Sequence, residues 1–147
     1  MSAPAFGSRW WAETGSGSWA RSRDEQPRRM HVSGVGELAD ASLSFQSIGQ
    51  WRDAGRIEAM LALAERVWRD RAYGDMWSYM LLAEGLVDIV GEFDVKPYDL
   101  AALVPIVREA GGTFTDITGE PTIYGGSSLA TNGLLHEATL EVIRAAR

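Results

Sequence analysis

The sequence predicts an α/β fold in which a largely parallel sheet is flanked by helices and preceded by a short antiparallel hairpin. The chain has 147 residues, 46% of them apolar, which is enough for one domain with a real hydrophobic core. From about Leu38 onward, short β-type runs alternate with segments of helical periodicity, as in a sheet covered by helices. The first 35 residues differ, because two aromatic runs there flank a segment rich in glycine and serine.

The N-terminal segment is predicted to form a small antiparallel sheet. Residues 9–12 and 18–21 are the two strands of a β-hairpin, and the glycine-rich residues between them form its turn. Residues 23–29 are charged and contain a proline, so a loop is expected there. A third strand is expected at residues 29–33. Alone, such a sheet would have open edges, which predicts poor solubility or association.

The middle of the chain alternates between strand and helix. A strand is predicted at residues 41–45, and apolar residues at helical spacing then predict a helix over residues 57–68. Asp75 and Gly85 mark a second helix, the first as an acidic N-cap and the second as a glycine C-cap. A strand is expected directly afterwards, at residues 86–90.

The last third of the chain continues the same alternation. Asp99 is predicted to cap a helix over residues 100–110, and Pro105 inside that helix predicts a kink or a tightened start. The remaining predicted elements are strands at 113–115 and 128–131, a turn at 116–121 and a terminal helix at 134–145.

Charge and composition exclude several classes of function. The net charge of −6 disfavours a nucleic-acid partner, because a phosphate backbone requires a basic surface. It leaves room for a small phosphorylated substrate, since a bound divalent cation can invert the local field. No apolar run is long enough for a transmembrane helix, and no secretory signal is found. With no cysteine, thiolate chemistry is excluded, and a cytoplasmic protein is the simplest interpretation.

Asp99 is the main candidate for chemistry. It lies where a loop leads into a helix, and the small residues Ala101 and Ala102 follow it. A carboxylate at a helix N-terminus is stabilised by roughly 0.3–1 kcal/mol, and an ionised carboxylate is a ligand that Mg²⁺ prefers. Taken alone, an Asp in this position is more often an ordinary N-cap.

A longer constellation around Asp99 resembles the second signature of the inositol monophosphatase family. It consists of Pro-Tyr-Asp-Leu-Ala-Ala at residues 97–102, Glu-Ala-Gly-Gly at residues 109–112, and Asp116 beyond them. The usual family form has Trp-Asp-x-Ala-Ala, and Tyr98 here replaces that tryptophan with another aromatic residue. The resemblance implies the family's α/β fold and a Mg²⁺-dependent phosphatase, with Asp99 as a metal ligand.

Upstream residues extend the resemblance to the substrate-binding side of the site. Arg71, Gly74 and Asp75 match the family's Arg-x-x-Gly-Ser/Thr/Asp element, in which a glycine before a helix lets backbone N–H groups approach a substrate. Glu92 matches the position at which family members hold a polar substrate group. The structural alternatives are a plain turn at Gly74 and surface carboxylate and guanidinium groups at Glu92 and Arg71.

Asp75 favours one subfamily over the others. Inositol-directed members usually carry a hydroxyl residue there, whereas the run over residues 71–88 is similar to bacterial histidinol-phosphate phosphatases. Histidinol phosphate carries an amine and an imidazole, which Asp75 and Glu92 would complement. The expected function is hydrolysis of histidinol phosphate to histidinol, in histidine biosynthesis. Two alternatives stay open: an inositol-phosphate or related sugar or nucleotide phosphatase, and a non-catalytic relic or binding domain.

The resemblance covers the C-terminal half of the family. The family's Glu-Glu and Asp-Pro-x-Asp-Gly-Thr/Ser motifs, which supply most Mg²⁺ ligands, are not found in this sequence. Residues 1–35 are therefore expected to be remnant strands of the N-terminal sheet, and residues 36–147 the C-terminal α/β domain. Little or no phosphatase activity is expected of this chain alone. His31 and His136 are expected to be structural or exposed, and the family's common state implies a homodimer.

Overall fold

The computed structural model describes residues 1–146, which begin with a four-stranded antiparallel sheet. Its strands are β1 (Ser2–Ala3), β2 (Ser8–Glu13), β3 (Gly17–Arg21) and β4 (Arg28–Met30), in the spatial order β1-β2-β3-β4. The predicted hairpin is confirmed, with Trp11 opposite Trp19 across its two strands. The predicted third strand is also present, one residue earlier than expected. Ser2–Ala3 add β1, which pairs with β2 and lies within residues 1–35, where the resemblance implied strands of an N-terminal sheet.

The second sheet has five strands and is mixed. Its strands are β5 (Ser42–Ser44), β6 (Arg69–Arg71), β7 (Ile89–Phe93), β8 (Thr113–Thr115) and β9 (Ser127–Thr131), in the order β6-β5-β7-β9-β8. β5 pairs in parallel with β6 and β7, whereas β9 runs antiparallel to both β7 and β8. The α/β class is thus confirmed, but the sheet departs from the parallel expectation at β9. The chain enters β9 from β8 through a helix-free loop, and such a connection joins antiparallel neighbours.

Six helices accompany the second sheet in the described chain. They are α1 (Ile48–Asp53), α2 (Ile57–Ala64), α3 (Asp75–Ala83), α4 (Pro97–Leu100), α5 (Leu103–Glu109) and α6 (His136–Ala145). The helix predicted over residues 57–68 ends at Ala64, because the chain must extend again for the edge strand β6. The sequence did not indicate α1 or β6. The strand expected at residues 86–90 lies at Ile89–Phe93 instead.

The helix predicted over residues 100–110 is broken into α4 and α5. Pro105 explains the break, since proline lacks an N–H and its ring would clash with the carbonyl of Ala101, four residues earlier. The expected kink is therefore present as an interruption at residues 101 and 102. Because α4 begins at Pro97, Lys96 is its N-cap residue, and the expectation that Asp99 occupies that position is wrong. The expectation that Asp75 is the N-cap of α3 is also wrong, because Gly74 occupies that position.

Two hydrophobic clusters cover the two faces of the mixed sheet. Successive residues of a strand point to opposite faces, so Val90 and Ala130 join one cluster while Ile89 and Leu129 join the other. The first cluster also contains Trp10 of β2, so the antiparallel sheet packs on α5 and, through the Trp10 ring against Trp77, on α3. A domain boundary at residue 35 stays a prediction. In residues 1–146, no helix is both long and apolar enough to span a bilayer.

A buried hydrogen-bond network ties the segment between the sheets to the second sheet. Asp88 accepts hydrogen bonds from the Ser33 hydroxyl and, through Oδ2, from the backbone N–H of Ser42 at 2.7 Å and the Ser42 hydroxyl at 3.0 Å. Asn132 donates from Nδ2 to the Ser33 hydroxyl at 3.0 Å and to the carbonyl of Val35 at 2.7 Å. Asp88 is 6% exposed, so its three hydrogen bonds replace contacts with water.

Replacing Asp88 with asparagine is expected to lower the free energy of unfolding by about 2 kcal/mol. The new amide NH₂ would face either the Ser33 hydroxyl or the Ser42 N–H, where the carboxylate now accepts hydrogen bonds. Urea unfolding measures the change. Asp53→Asn is the matched control, because the Asp53 side chain is 73% exposed and should tolerate the same change. Equal destabilisation by the two substitutions would contradict this interpretation of the network.

Candidate functional site

A cleft of about 380 Å³ lies between the loop after β5, the first turn of α3, the end of β7 and helix α4. Three of the five residues that the sequence singled out line it: Asp75, Glu92 and Asp99. The cleft therefore brings together carboxylates that lie up to 24 positions apart in the chain. Its lining also includes Gln46, Gln50, Asp94 and Tyr98, none of which was predicted as a site residue.

Glu92 is the buried carboxyl group of the cleft. It lies in β7 opposite Ser128 of β9, and it is 4% exposed. Its Oε1 accepts a hydrogen bond from the Tyr79 hydroxyl at 2.6 Å, and that hydroxyl is also 2.5 Å from the Ser128 hydroxyl. Tyr79 reaches this point from α3, so the same helix contributes Asp75 to the cleft and holds Glu92 in place.

The environment of Glu92 favours its protonated form. Burial raises the pKa of Glu92 to about 7, and the negative charges of Asp75 and Asp99 act in the same direction. The hydrogen bond from Tyr79 opposes this shift without cancelling it. Burial, together with the nearby Glu92, also raises the pKa of the Tyr79 hydroxyl, which therefore stays protonated and donates. Near neutral pH, Glu92 is thus divided between its acid and its carboxylate form.

Asp75 is exposed at the rim of the cleft and is held by a glutamine from another loop. Its backbone N–H donates to Oε1 of Gln46 at 2.9 Å, and its Oδ1 accepts from Nε2 of Gln46 at 3.3 Å. The carboxylate thus makes a tertiary contact in place of the N-cap bond that the sequence suggested. A lone polar residue after a strand carries no recognisable signal, so sequence reasoning missed Gln46.

Asp99 is exposed in the first turn of α4. Its Oδ2 accepts a hydrogen bond from the backbone N–H of Lys96 at 2.9 Å, which satisfies one of the free N–H groups at this helix start. Proline suits the first helical position, so Pro97 fixes the start of α4 and places Asp99 two residues later. Oδ1 of Asp99 has no hydrogen-bond partner among residues 1–146 and is available to a ligand.

The carboxylates of the cleft could supply some of the oxygen ligands of a Mg²⁺ ion, but not all of them. Within residues 1–146, no three His, Cys, Asp or Glu side chains are arranged to hold a metal ion. Each of the three predicted carboxylates accepts a hydrogen bond on one oxygen, Glu92 from Tyr79, Asp75 from Gln46 and Asp99 from Lys96, and the role of Asp99 as a metal ligand stays a prediction. Carboxylate oxygen is suitable for Mg²⁺, but the described residues do not make up the multi-carboxylate site that the resemblance implies.

Arg71 and Gly74 lie beside the cleft and do not line it. Arg71 is exposed on the edge strand β6, and its Nη1 donates to the carbonyl of Asp70 at 2.6 Å. Gly74 has φ +74°, and a Cβ atom there would lie 3.0 Å from Oε1 of Gln46, so a glycine is required at this position. The roles of these two residues in substrate binding stay predictions.

The two histidines lie outside the cleft. His136 is buried, and its ring nitrogens lie 3.1 Å from the hydroxyls of Thr115 and Thr131, which is the structural role expected of it. Burial lowers the pKa of His136, so its neutral form is favoured. His31 is exposed.

Comparison with known proteins agrees with this fold. The profile described as the inositol monophosphatase family matches residues 1–147. The chain is 50% identical over 145 residues to the histidinol-phosphatase of Mycobacterium tuberculosis, covering 99% of this chain and 56% of that protein. It is 45% identical over 140 residues to the histidinol-phosphatase of Streptomyces coelicolor, covering 95% of this chain and 53% of the relative.

Among solved structures, the inositol monophosphatase of Anabaena superimposes with a TM-score of 0.78 at 26% identity. The match covers 92% of this chain and 54% of that one. The chain therefore spans about half the length of the relatives that it matches.

Proposed function

The chain belongs to the inositol monophosphatase family, and on that premise we propose that it forms the substrate-binding part of a histidinol-phosphate phosphatase site. The expected reaction is hydrolysis of a phosphomonoester by water. Support for this substrate comes from the two relatives named histidinol-phosphatase, which match almost the whole of this chain at 45–50% identity. The cytoplasmic location and the homodimer suggested by the resemblance stay predictions.

The observation that carries the proposal is the charge of the cleft. Asp75, Glu92, Asp94 and Asp99 line it, and no lysine or arginine side chain does so in the described part of the chain. Met1 also lines it, and its N-terminal ammonium donates to the carbonyl of Trp10 at 2.7 Å. The single lysine of the sequence, Lys96, pairs with Asp94 at 3.2 Å. A ligand with an amine or an imidazolium gains charge complementarity in such a cleft, whereas a neutral polyol does not.

Asp75 and Glu92 are proposed to bind the substrate, and Asp99 is proposed to bind the metal. We assign Asp75 to the cationic end of the substrate, because its carboxylate lies at the exposed rim. Glu92 lies deeper, and near neutral pH it can donate a hydrogen bond to a neutral imidazole or accept one from an imidazolium. Asp99 is assigned to the metal. Mg²⁺, when bound, would supply Lewis-acid stabilisation of the phosphoryl group.

Replacing Asp75 with serine tests the proposed substrate. The protein for this test is a chimera in which this chain replaces the matching part of the M. tuberculosis histidinol-phosphatase. We expect the chimera to prefer histidinol phosphate to inositol 1-phosphate. Asp75→Ser should lower kcat/KM for histidinol phosphate by about fivefold, the upper range for an exposed ion pair, and change inositol 1-phosphate hydrolysis less than about twofold.

The control for this experiment is Asp53→Ser. Asp53 is the last residue of α1, and its exposed carboxylate does not line the cleft. This substitution should leave both rates unchanged. An unchanged substrate preference after Asp75→Ser would contradict the charge argument. A chimera that prefers inositol 1-phosphate from the outset would support the inositol-phosphatase alternative instead.

A further inference from the structure

Backbone strain is concentrated around the cleft. In residues 1–146, four residues other than glycine have φ in the left-handed region, and three of them, Gln46, Asp75 and Asp94, line the cleft. Their φ angles are +61°, +47° and +57°. An L-residue is disfavoured in this conformation and persists in it only where the surrounding structure holds it. Gln46 and Asp75 are hydrogen-bonded to each other, so each stabilises the other's conformation.

The amide of Gln46 contacts Asp75 at two points. Oε1 accepts from the backbone N–H of Asp75, and Nε2 donates to the carboxylate Oδ1 of the same residue. Gly74 permits the contact, because any larger residue would place its Cβ 3.0 Å from Oε1 of Gln46. Backbone and side chain of Asp75 are therefore both oriented by one planar amide that comes from the loop after β5.

The Gln46 amide is uncharged, so it can hold the Asp75 carboxylate without neutralising it. An exposed Asp side chain ordinarily samples several rotamers, and fixing one of them removes that entropy cost from ligand binding. A lysine or arginine would also hold the carboxylate, but it would neutralise the charge. Glutamine restrains Asp75 and leaves its negative charge available to a ligand.

We propose that Gln46 is a positioning residue that orients the Asp75 carboxylate in the cleft and thereby sets a preference for cationic over neutral ligands. This inference rests on the proposed function, because it assigns the cationic ligand group to Asp75. A purely structural role would differ in its consequences. If Gln46 served only to attach the loop after β5 to α3, its loss would weaken the binding of cationic and neutral ligands alike.

A double-mutant cycle on the isolated 147-residue chain separates the two roles. L-Histidinol is the cationic probe and myo-inositol is the neutral probe, and NMR titration of ¹⁵N-labelled protein gives the Kd of each. The variants are Gln46→Leu, Asp75→Asn and their combination. Gln26→Leu, on an exposed loop of the first sheet, is the matched control. Gln46→Met, which has similar length but no hydrogen-bonding amide, replaces Gln46→Leu if the leucine variant does not fold.

We expect the wild-type chain to bind histidinol more tightly than inositol. Gln46→Leu should weaken histidinol binding by about threefold and Asp75→Asn by about fivefold, with inositol binding unchanged in both, as for an exposed charge pair. In the Asp75→Asn background, Gln46→Leu should have no further effect, because Gln46 acts through that carboxylate. Gln26→Leu should change neither Kd.

Three results would overturn the proposal, and they can be told apart. Equal histidinol affinity in wild type and Gln46→Leu shows that Gln46 does not position a binding group. An undiminished effect of Gln46→Leu in the Asp75→Asn background, or equal loss for both probes, shows that it acts structurally. A wild-type chain that does not prefer histidinol to inositol contradicts the proposed function itself, and the role of Gln46 falls with it.

Discussion

Replacing Glu92 with glutamine is expected to raise the free energy of unfolding by about 3 kcal/mol at pH 8 and by roughly a few tenths of a kcal/mol at pH 4.5. The carboxyl group is 4% exposed, and burial raises its pKa from 4.5 to about 7. Between these two values the folded chain binds more protons than the unfolded chain. Its stability therefore falls as pH rises through this range, and the loss is complete above the folded pKa.

Glutamine removes this pH dependence because it carries no charge at any pH. Its amide oxygen can still accept the hydrogen bond that Tyr79 now donates to Oε1, so the local geometry is preserved. Urea unfolding at several pH values between 4.5 and 8 measures the difference between wild type and variant. Glu25→Gln, on the exposed loop after β3, is the matched control, because it removes a carboxylate that stays in water.

A stability difference between wild type and Glu92→Gln that is constant across this pH range would contradict the raised pKa of Glu92. A higher free energy of unfolding of Glu92→Gln than of wild type at high pH would mean that the chain keeps a destabilising carboxyl group in its cleft. Such a cost is typical of binding sites, where a group is retained for its chemistry and not for its contribution to folding.

Much of the fold could be predicted because its signals are local. Two short aromatic runs around a glycine-rich turn predicted the hairpin, and Pro105 predicted the disturbance of its helix. The direction of β9 could not be predicted in this way. Its residues read as a strand in either orientation, and whether it runs parallel or antiparallel depends on the path of the chain from β8.

The position of β7, which begins later than predicted, determines the burial of Glu92. Leu86 and Val87 made residues 86–90 the more strand-like run, but Leu86 is 65% exposed and β7 begins at Ile89. With the strand three residues later, Glu92 lies inside the sheet and is buried, where an isolated Glu would ordinarily be solvated. The raised pKa of Glu92 follows from this placement.

The candidate site was predictable where a motif marked it. Asp75, Glu92 and Asp99 were identified by their resemblance to family positions, and the fold brings all three into one cleft. Their partners were not identified. Gln46 is 29 positions from Asp75, and Ser128 is 49 positions from Tyr79, so no local pattern connects them. Such contacts arise only when distant segments pack together.

Phosphate release by the purified 147-residue chain, assayed with histidinol phosphate and Mg²⁺, tests most directly whether the chain contributes one part of a phosphatase site. Asp99 is the single carboxylate proposed as a metal ligand, and residues 1–146 hold no metal-binding cluster. Losing metal stabilisation of the transition state removes several kcal/mol, so we expect release at least about 100-fold slower than by the M. tuberculosis histidinol-phosphatase. The chimera described above, assayed in parallel, should be active. Mg²⁺-dependent release by the chain alone at a rate near that of the M. tuberculosis enzyme would contradict this division of the site.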